Sequence, residues 1–208
     1  MEPLTRVTGV VLPLDRSNVD TDQIVPARYL KRIEREGWGE FLFYDWRYDD
    51  GKPNPEFVLN DKGYSAAAVI VAGRNFGSGS SREHAVWAVR QYGIRAVIAP
   101  SFADIFHKNC FENGLVPVIM AQEQVDVIMR KAKESPGYRL TVDLERCMVS
   151  DEEGFSAPFV VHDDPGTHEF RRHALLNGLD AIAMTLQAED EISEFESNRP
   201  RWLTPAGR

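Results

Sequence analysis

The sequence predicts an α/β fold with a partly parallel sheet flanked by helices. Three observations carry that expectation. Short apolar runs at 66–73 (AAAVIVAG), 95–99 (RAVIA) and 115–120 (LVPVIM) read as buried strands. Segments of helical spacing at 81–92, 101–114 and 122–134 follow them in turn. The connections between them are short, and such alternation argues for parallel pairing.

The elements can be justified in order. Residues 6–14, RVTGVVLPL, are β-branched and apolar and read as a strand. Asp15 to Asp22 is a cluster of turn formers. Ala27, Leu30 and Ile33 recur at helical spacing, so 27–36 is expected to be a helix. Residues 37–65 carry Trp38, Phe41, Phe43, Tyr44, Trp46 and Tyr48 and then DDGKPNP, a long aromatic insertion expected to be mobile until something packs on it. The 81–92 helix ends at Gly93, and Ser80 with Glu83 has the spacing of a capping box. Ser101 and Asp104 give a similar signal ahead of the next helix, which Gly114 closes. The 122–134 helix stops at Ser135–Pro136–Gly137. Segments 138–145, 147–150 and 155–161 read as hairpin strands, and 167–198 as one or two helices. The whole, 1–208, is expected to be a single domain, with 188–208 a C-terminal helix and tail.

Composition narrows the function. The chain has 208 residues, 43% hydrophobic and 27% charged, ordinary values that argue against disorder. With 24 basic and 32 acidic side chains the net charge is −8, which disfavours nonspecific binding to nucleic acid or an anionic membrane. The longest apolar run, Ala66 to Ala72, is far short of the about 20 residues a membrane span needs. No signal peptide is apparent, and a cytoplasmic location is expected. Cys110 and Cys147 are the only cysteines, too few for a disulfide framework or for the roughly four ligands of an iron–sulfur cluster. They are expected to be reduced structural thiols.

The sharpest segment is Ala72 to His84, AGRNFGSGSSREH, which leaves a strand and enters a helix. Gly73, Gly77 and Gly79 let the backbone approach a ligand closely. Amide groups at a helix N-terminus favour negative charge, and Arg82 can grip a carboxylate in bidentate fashion. On spacing alone three readings stay open: a glycine-rich turn with an ordinary capping serine, an anion site, or a serine whose alkoxide is stabilised so that it can act as a base. The segment lacks the Gly-Lys-Ser/Thr of a phosphate-binding P-loop, a clean GxGxxG and the GxSxG of hydrolases.

NFGSGSSREHA is similar to the signature of the aconitase and isopropylmalate isomerase superfamily, specifically its swivelling domain, which bacteria often encode as a separate small subunit. LDRSNVDTDQIVPARYLK (14–31), YGIRAVIAPSFADIFHKNCFENGLVPV (92–118) and GLDAIAMTLQ (178–187) resemble the same family in the same order. The resemblance implies a swivelling β/β/α domain and a hydro-lyase subunit of the isopropylmalate branch, in leucine biosynthesis. It implies Ser80 as the catalytic base, Ser81 and Arg82 as carboxylate-binding residues, Thr21 and Asp22 as residues lining the site, and Gly77 and Gly79 as the backbone that admits substrate. A large subunit is the implied partner, bearing the [4Fe–4S] cluster that this chain cannot build, and the substrate is a small hydroxy-dicarboxylate. Leu30 is expected to meet the substrate's apolar side chain, worth about 1–3 kcal/mol of discrimination. Lys31 and Arg32, if turned inward, would suit a more acidic substrate of a related hydro-lyase; turned outward, they are a solvated face. A carboxylate- or phosphate-binding module without chemistry is the alternative of another class.

Other features read as structural. His84 and His107 are expected to be satisfied structural histidines. His168 and His173, five apart, do not share a helix face as ligands would and read as surface. The five carboxylates between Glu189 and Glu196 read as a solvated helix face.

Overall fold

The computed structural model describes residues 1–199. Nine strands and eight α-helices are named here in chain order: β1 (Arg6–Leu14), α1 (Thr21–Ile24), α2 (Tyr44–Arg47), the hairpin β2 (Tyr48–Asp49) and β3 (Lys52–Pro53), β4 (Ala67–Ala72), α3 (Glu83–Tyr92), β5 (Ala96–Ala99), α4 (Asp104–Glu112), β6 (Val116–Ile119), α5 (Gln122–Glu134), β7 (Arg139–Asp143), β8 (Met148–Ser150), β9 (Ser156–Pro158), α6 (Pro165–Asn177), α7 (Ala181–Leu186) and α8 (Glu189–Ser197). Seven strands form one mixed sheet in the order β6-β5-β4-β1-β7-β8-β9. β1, β4, β5 and β6 run parallel, and β7, β8 and β9 extend the sheet antiparallel. The α/β architecture expected from the sequence is therefore present, with its β-rich portion as one wing of the same sheet.

Side-chain alternation divides the sheet into two faces. Val11, Val69, Val71 and Ile98 point to the face covered by α5, with Val125, Ile128 and Met129. Leu12, Ile70 and Val97 point to the other, with Val86 and Val89 of α3. The 37–65 segment closes this second face: Trp38, Leu42 and Phe43 are fully buried in it, joined by Phe57 and Leu59. Its aromatic residues thus pack on the chain's own core. Gly39 permits the contact, because a Cβ there would sit 2.7 Å from backbone atoms of Gln91 and Tyr92 in α3.

Several local expectations are corrected. Only Ala27–Tyr29 is helical within 27–36, as one 3-10 turn. Ile33 is 95% exposed, so the apolar spacing serves no burial. The Glu34 and Arg35 carbonyls accept from Trp38 Nε1 (2.8 Å) and Gln91 Nε2 (2.7 Å), tying the loop to α3. α3 starts at Glu83 with Arg82 as N-cap and no side-chain cap, so Ser80 caps nothing. Glu83 instead accepts from Asn113 Nδ2 at 3.0 Å, linking α3 to the end of α4. Ser101 does not cap α4 either; its Oγ accepts the Asn75 N–H at 2.9 Å. The C-terminal region forms three helices rather than one or two. His168 is not a surface residue: its side chain is 12% exposed, Nδ1 accepts the Val161 N–H at 3.1 Å, and Nε2 lies 3.7 Å from Cys147 Sγ. His107 is structural as expected, with Nε2 2.7 Å from the Val161 carbonyl and burial lowering its pKa. His84 lies between the Trp38 and Trp87 rings in tilted and edge-on contacts, and burial lowers its pKa as well. The carboxylates of α8 are all on exposed residues. Of the tail 188–208, residues 200–208 lie outside the described residues. No helix among the described residues is long and apolar enough to cross a membrane.

Asp151 joins α5 to the antiparallel wing. Burial would raise its pKa, but the Lys131 ammonium, the Tyr138 hydroxyl (2.6 Å) and the amides of Phe155 and Glu153 outweigh that and hold it at about 2. A depressed folded pKa contributes stability above the ordinary value of 3.8 that is lost as pH falls toward 2. Asp151→Asn should therefore lower Tm at pH 7, and the gap to wild type should narrow as the pH falls from 4 to about 2 in a thermal unfolding series.

Candidate active site

The C-terminal ends of β1, β4 and β5 lie side by side, and the loops leaving them meet. Ligands of open parallel sheets bind in this position. The first loop, 15–20, leads into α1 through a capping box: Asp20 accepts from the Gln23 N–H (2.8 Å), and Gln23 Oε1 accepts from the Asp20 N–H (3.0 Å). The sequence carries that device as Asp-x-x-Gln, a signal the reading of the turn cluster overlooks. The second loop, 73–82, is laced to the first. The Val19 carbonyl accepts from the Gly77 and Ser78 amides (2.8 and 3.0 Å), and the Thr21 N–H donates to the Ser78 carbonyl (2.8 Å). Asn18 and Asn75 both adopt left-handed backbone (φ 54° and 58°), and Asn75 Nδ2 donates to Asn18 Oδ1 at 2.9 Å. The third loop, 100–103, brackets Phe76 through amide–carbonyl bonds with Ser101 (3.1 Å) and Ala103 (3.0 Å).

This lacing presents Ser80 and Ser81 on the surface at the crest of the loop. Thr21 is buried, and its Oγ1 donates to the Ser80 carbonyl at 3.1 Å, which pins the backbone that carries the serine. Gly79, at φ 96°, makes the turn immediately before it. Gly77, at φ 79°, lies so close to α4 that a Cβ would be 2.2 Å from Phe106 Cγ. Arg82 is 16% exposed and is ion-paired with Asp22, which also accepts the Ala27 N–H at 3.2 Å. The Arg82 guanidinium holds the Asp22 carboxyl below its usual range. Thr21, Asp22, Gly77, Gly79, Ser80, Ser81 and Arg82 therefore lie together across two loops.

Leu30 lies half-buried against the core beside Tyr29. Arg32 is spent on Glu40 (3.1 Å) and Glu34 (3.5 Å), with its guanidinium over the Phe41 ring. Lys31 is exposed. Arg32 is therefore engaged with glutamates rather than with the loops that carry Ser80.

Asp22 Oδ1 accepts from Arg82 Nη1, one of the guanidinium N–H groups that a ligand carboxylate would take. Asp22→Asn should keep the fold and free that cation. Its expected signature is tighter binding of a small dicarboxylate than the wild type shows at pH 7, where Asp22, held below its usual range by Arg82, is ionised and competes for the guanidinium. Calorimetric titration of the same dicarboxylate into both proteins at pH 7 makes the comparison.

The residues of this chain do not fit an iron–sulfur cluster. Cys110 is buried inside α4, where burial pushes its thiol pKa up, and Cys147 sits at the β7–β8 turn. Among the described residues no three His, Cys, Asp or Glu side chains are grouped to hold a metal.

Comparison with known proteins identifies the family of the chain. The model of the aconitase C-terminal domain matches residues 1–123, and LeuD_N matches 126–163. The model of the C-terminal domain of the 3-isopropylmalate dehydratase small subunit matches 182–205. The chain is 54% identical to the 3-isopropylmalate dehydratase small subunit of Brevibacillus brevis, over 96% of this chain and 100% of that one. It is 52% identical to the protein of the same name from Bacillus subtilis, over 98% and 99%. A crystal structure of 3-isopropylmalate dehydratase (LeuD) from Methanocaldococcus jannaschii superposes with a TM-score of 0.63 at 25% identity, covering 91% of this chain and 98% of that one. With the swivelling-type α/β fold and the laced serine loop already in view, these matches show that the chain belongs to the family of 3-isopropylmalate dehydratase small subunits.

Proposed function

We propose that this chain supplies the proton-transfer half of a split hydro-lyase site that interconverts 2- and 3-isopropylmalate in leucine biosynthesis. The observation that supports this best is the placement of Ser80. Its carbonyl is anchored by Thr21, and Arg82 lies two residues on, at the N-cap of α3.

The roles follow from the chemistry of those atoms. Arg82, released from Asp22, and Ser81 hold the carboxylate next to the carbon that loses its proton. The cationic guanidinium and the helix N-terminus favour the Ser80 alkoxide, which takes that proton. The C–H bond breaks, the alkene forms and the hydroxyl departs, so water is lost overall. Rehydration at the neighbouring carbon returns the proton from Ser80. Among the described residues no group of side chains is arranged to hold a metal, and we assign the departing hydroxyl to the large subunit, where a [4Fe–4S] cluster would act as Lewis acid. With Arg32 committed to glutamates, the site is suited to a dicarboxylate with an apolar branch rather than to a tricarboxylate.

Substrate choice is tested by offering a complex with the cognate large subunit both 3-isopropylmalate and citrate, and following alkene absorbance. Alkene from the first at a kcat/KM at least about 10²-fold higher is expected. Equal or better use of citrate would overturn the assignment.

A further inference from the structure

The opposite end of the sheet carries a second site. The N-terminal ends of β1, β4, β5 and β6 surround a cavity of ≈ 350 Å³. That is within the about 300–1,000 Å³ of small-molecule pockets. Arg6, Arg90 and Arg95 line it, and Glu2 is the one acidic lining residue. Arg6 is matched by Asp143 at 2.7 Å. Arg95 reaches only to 4.0 Å from Glu2, whose side chain is 84% exposed, a pairing that solvent screens. Arg90, in the last turn of α3, pairs with no carboxylate among the described residues, and its Nη1 is buried without a hydrogen-bond partner. A guanidinium is charged at every physiological pH, and a buried, unpaired N–H of a charged group is costly. The negative end of α3 offsets part of that cost but gives Nη1 no acceptor.

We propose that this cavity binds a small free oxyanion, a carboxylate or a phosphate, held between Arg90 and Arg95. The oxyanion gives the Arg90 guanidinium, which lines the cavity and meets no carboxylate among the described residues, a counter-charge and gives Arg95 the partner it only approaches, and a planar guanidinium fork matches either group in bidentate fashion. The site is separate from the Ser80 loop, because β4 spans about 17 Å between the two ends of the sheet. It does not depend on the chemistry assigned to Ser80.

The test is calorimetric titration of inorganic phosphate and, separately, malonate into the full chain, with ionic strength held constant by chloride. Saturable binding of at least one anion is expected, weakened about tenfold or more in Arg90→Gln and in Arg95→Gln and unchanged in Lys108→Gln, an exposed cation outside the cavity. The phosphate and malonate arms distinguish the two oxyanions. Arg95 is 41% exposed, so Arg95→Gln decides the matter if Arg90→Gln does not fold. No saturable binding of either anion up to about 20 mM, or binding undiminished in Arg95→Gln, would overturn the proposal.

Discussion

Ser80→Ala, assembled with a cluster-loaded large subunit, is expected to lower kcat for 3-isopropylmalate by about 10²–10⁴-fold, the range that positioned proton transfer contributes. KM should change little, because the carboxylate grip is assigned under the proposed function to Arg82 and Ser81 rather than to Ser80. The fold should be untouched. Ser80 is exposed, and its structural bond to Thr21 uses the backbone carbonyl, which alanine retains. A melting curve identical to wild type alongside lost turnover separates this from a structural role. Ser80→Thr, which restores a hydroxyl beside a bulkier methyl, should recover part of the rate. Wild-type kcat in Ser80→Ala would remove the serine from the mechanism.

Gly77→Ala should be the most damaging single-methyl change in the serine loop. Two costs combine at this position. A φ of 79° is a left-handed conformation that alanine adopts with strain, and the new Cβ would lie 2.2 Å from Phe106 Cγ, a ring itself buried in the core. Neither can relax without moving α4 or breaking the bond from the Gly77 N–H to the Val19 carbonyl (2.8 Å). A loss of about 3 kcal/mol is expected, or a Tm lower by about 6–12 °C for a chain of this size. Activity should fall further than stability, since the same bonds set the height of Ser80. Gly51→Ala is the control: its φ of 76° is equally unusual, but nothing lies within 4 Å of a Cβ there, so only the backbone strain remains.

The parts of the fold that the sequence made legible are those decided by local periodicity. β1 and α5 fall at 6–14 and 122–134 as expected, because an unbroken β-branched run and a clear amphipathic repeat each end at strong punctuation. The parts it concealed are decided by tertiary hydrogen bonds. Ser101 has the spacing of a cap yet serves the Asn75 amide across a loop. Glu83 has the spacing of a capping partner yet reaches Asn113 at the far end of α4. Residues 27–36 have helical spacing, but the Glu34 and Arg35 carbonyls go to Trp38 and Gln91. His168 looks superficial in the sequence because its partners, Val161 and Cys147, are distant along the chain. In the site itself, glycines, serines and Arg82 stand out as a motif, while the Asn18–Asn75 pair that holds the two loops in register has no sequence signal beyond the tolerance of asparagine for left-handed backbone.

A reactive site divided between two chains is tested by turnover of 3-isopropylmalate by this chain alone, by the cluster-loaded large subunit alone, and by the two together, followed as alkene absorbance under anaerobic conditions. Alkene formation is expected only in the mixture, saturating as this chain is titrated against a fixed amount of large subunit. Equal turnover by the large subunit without this chain would contradict it.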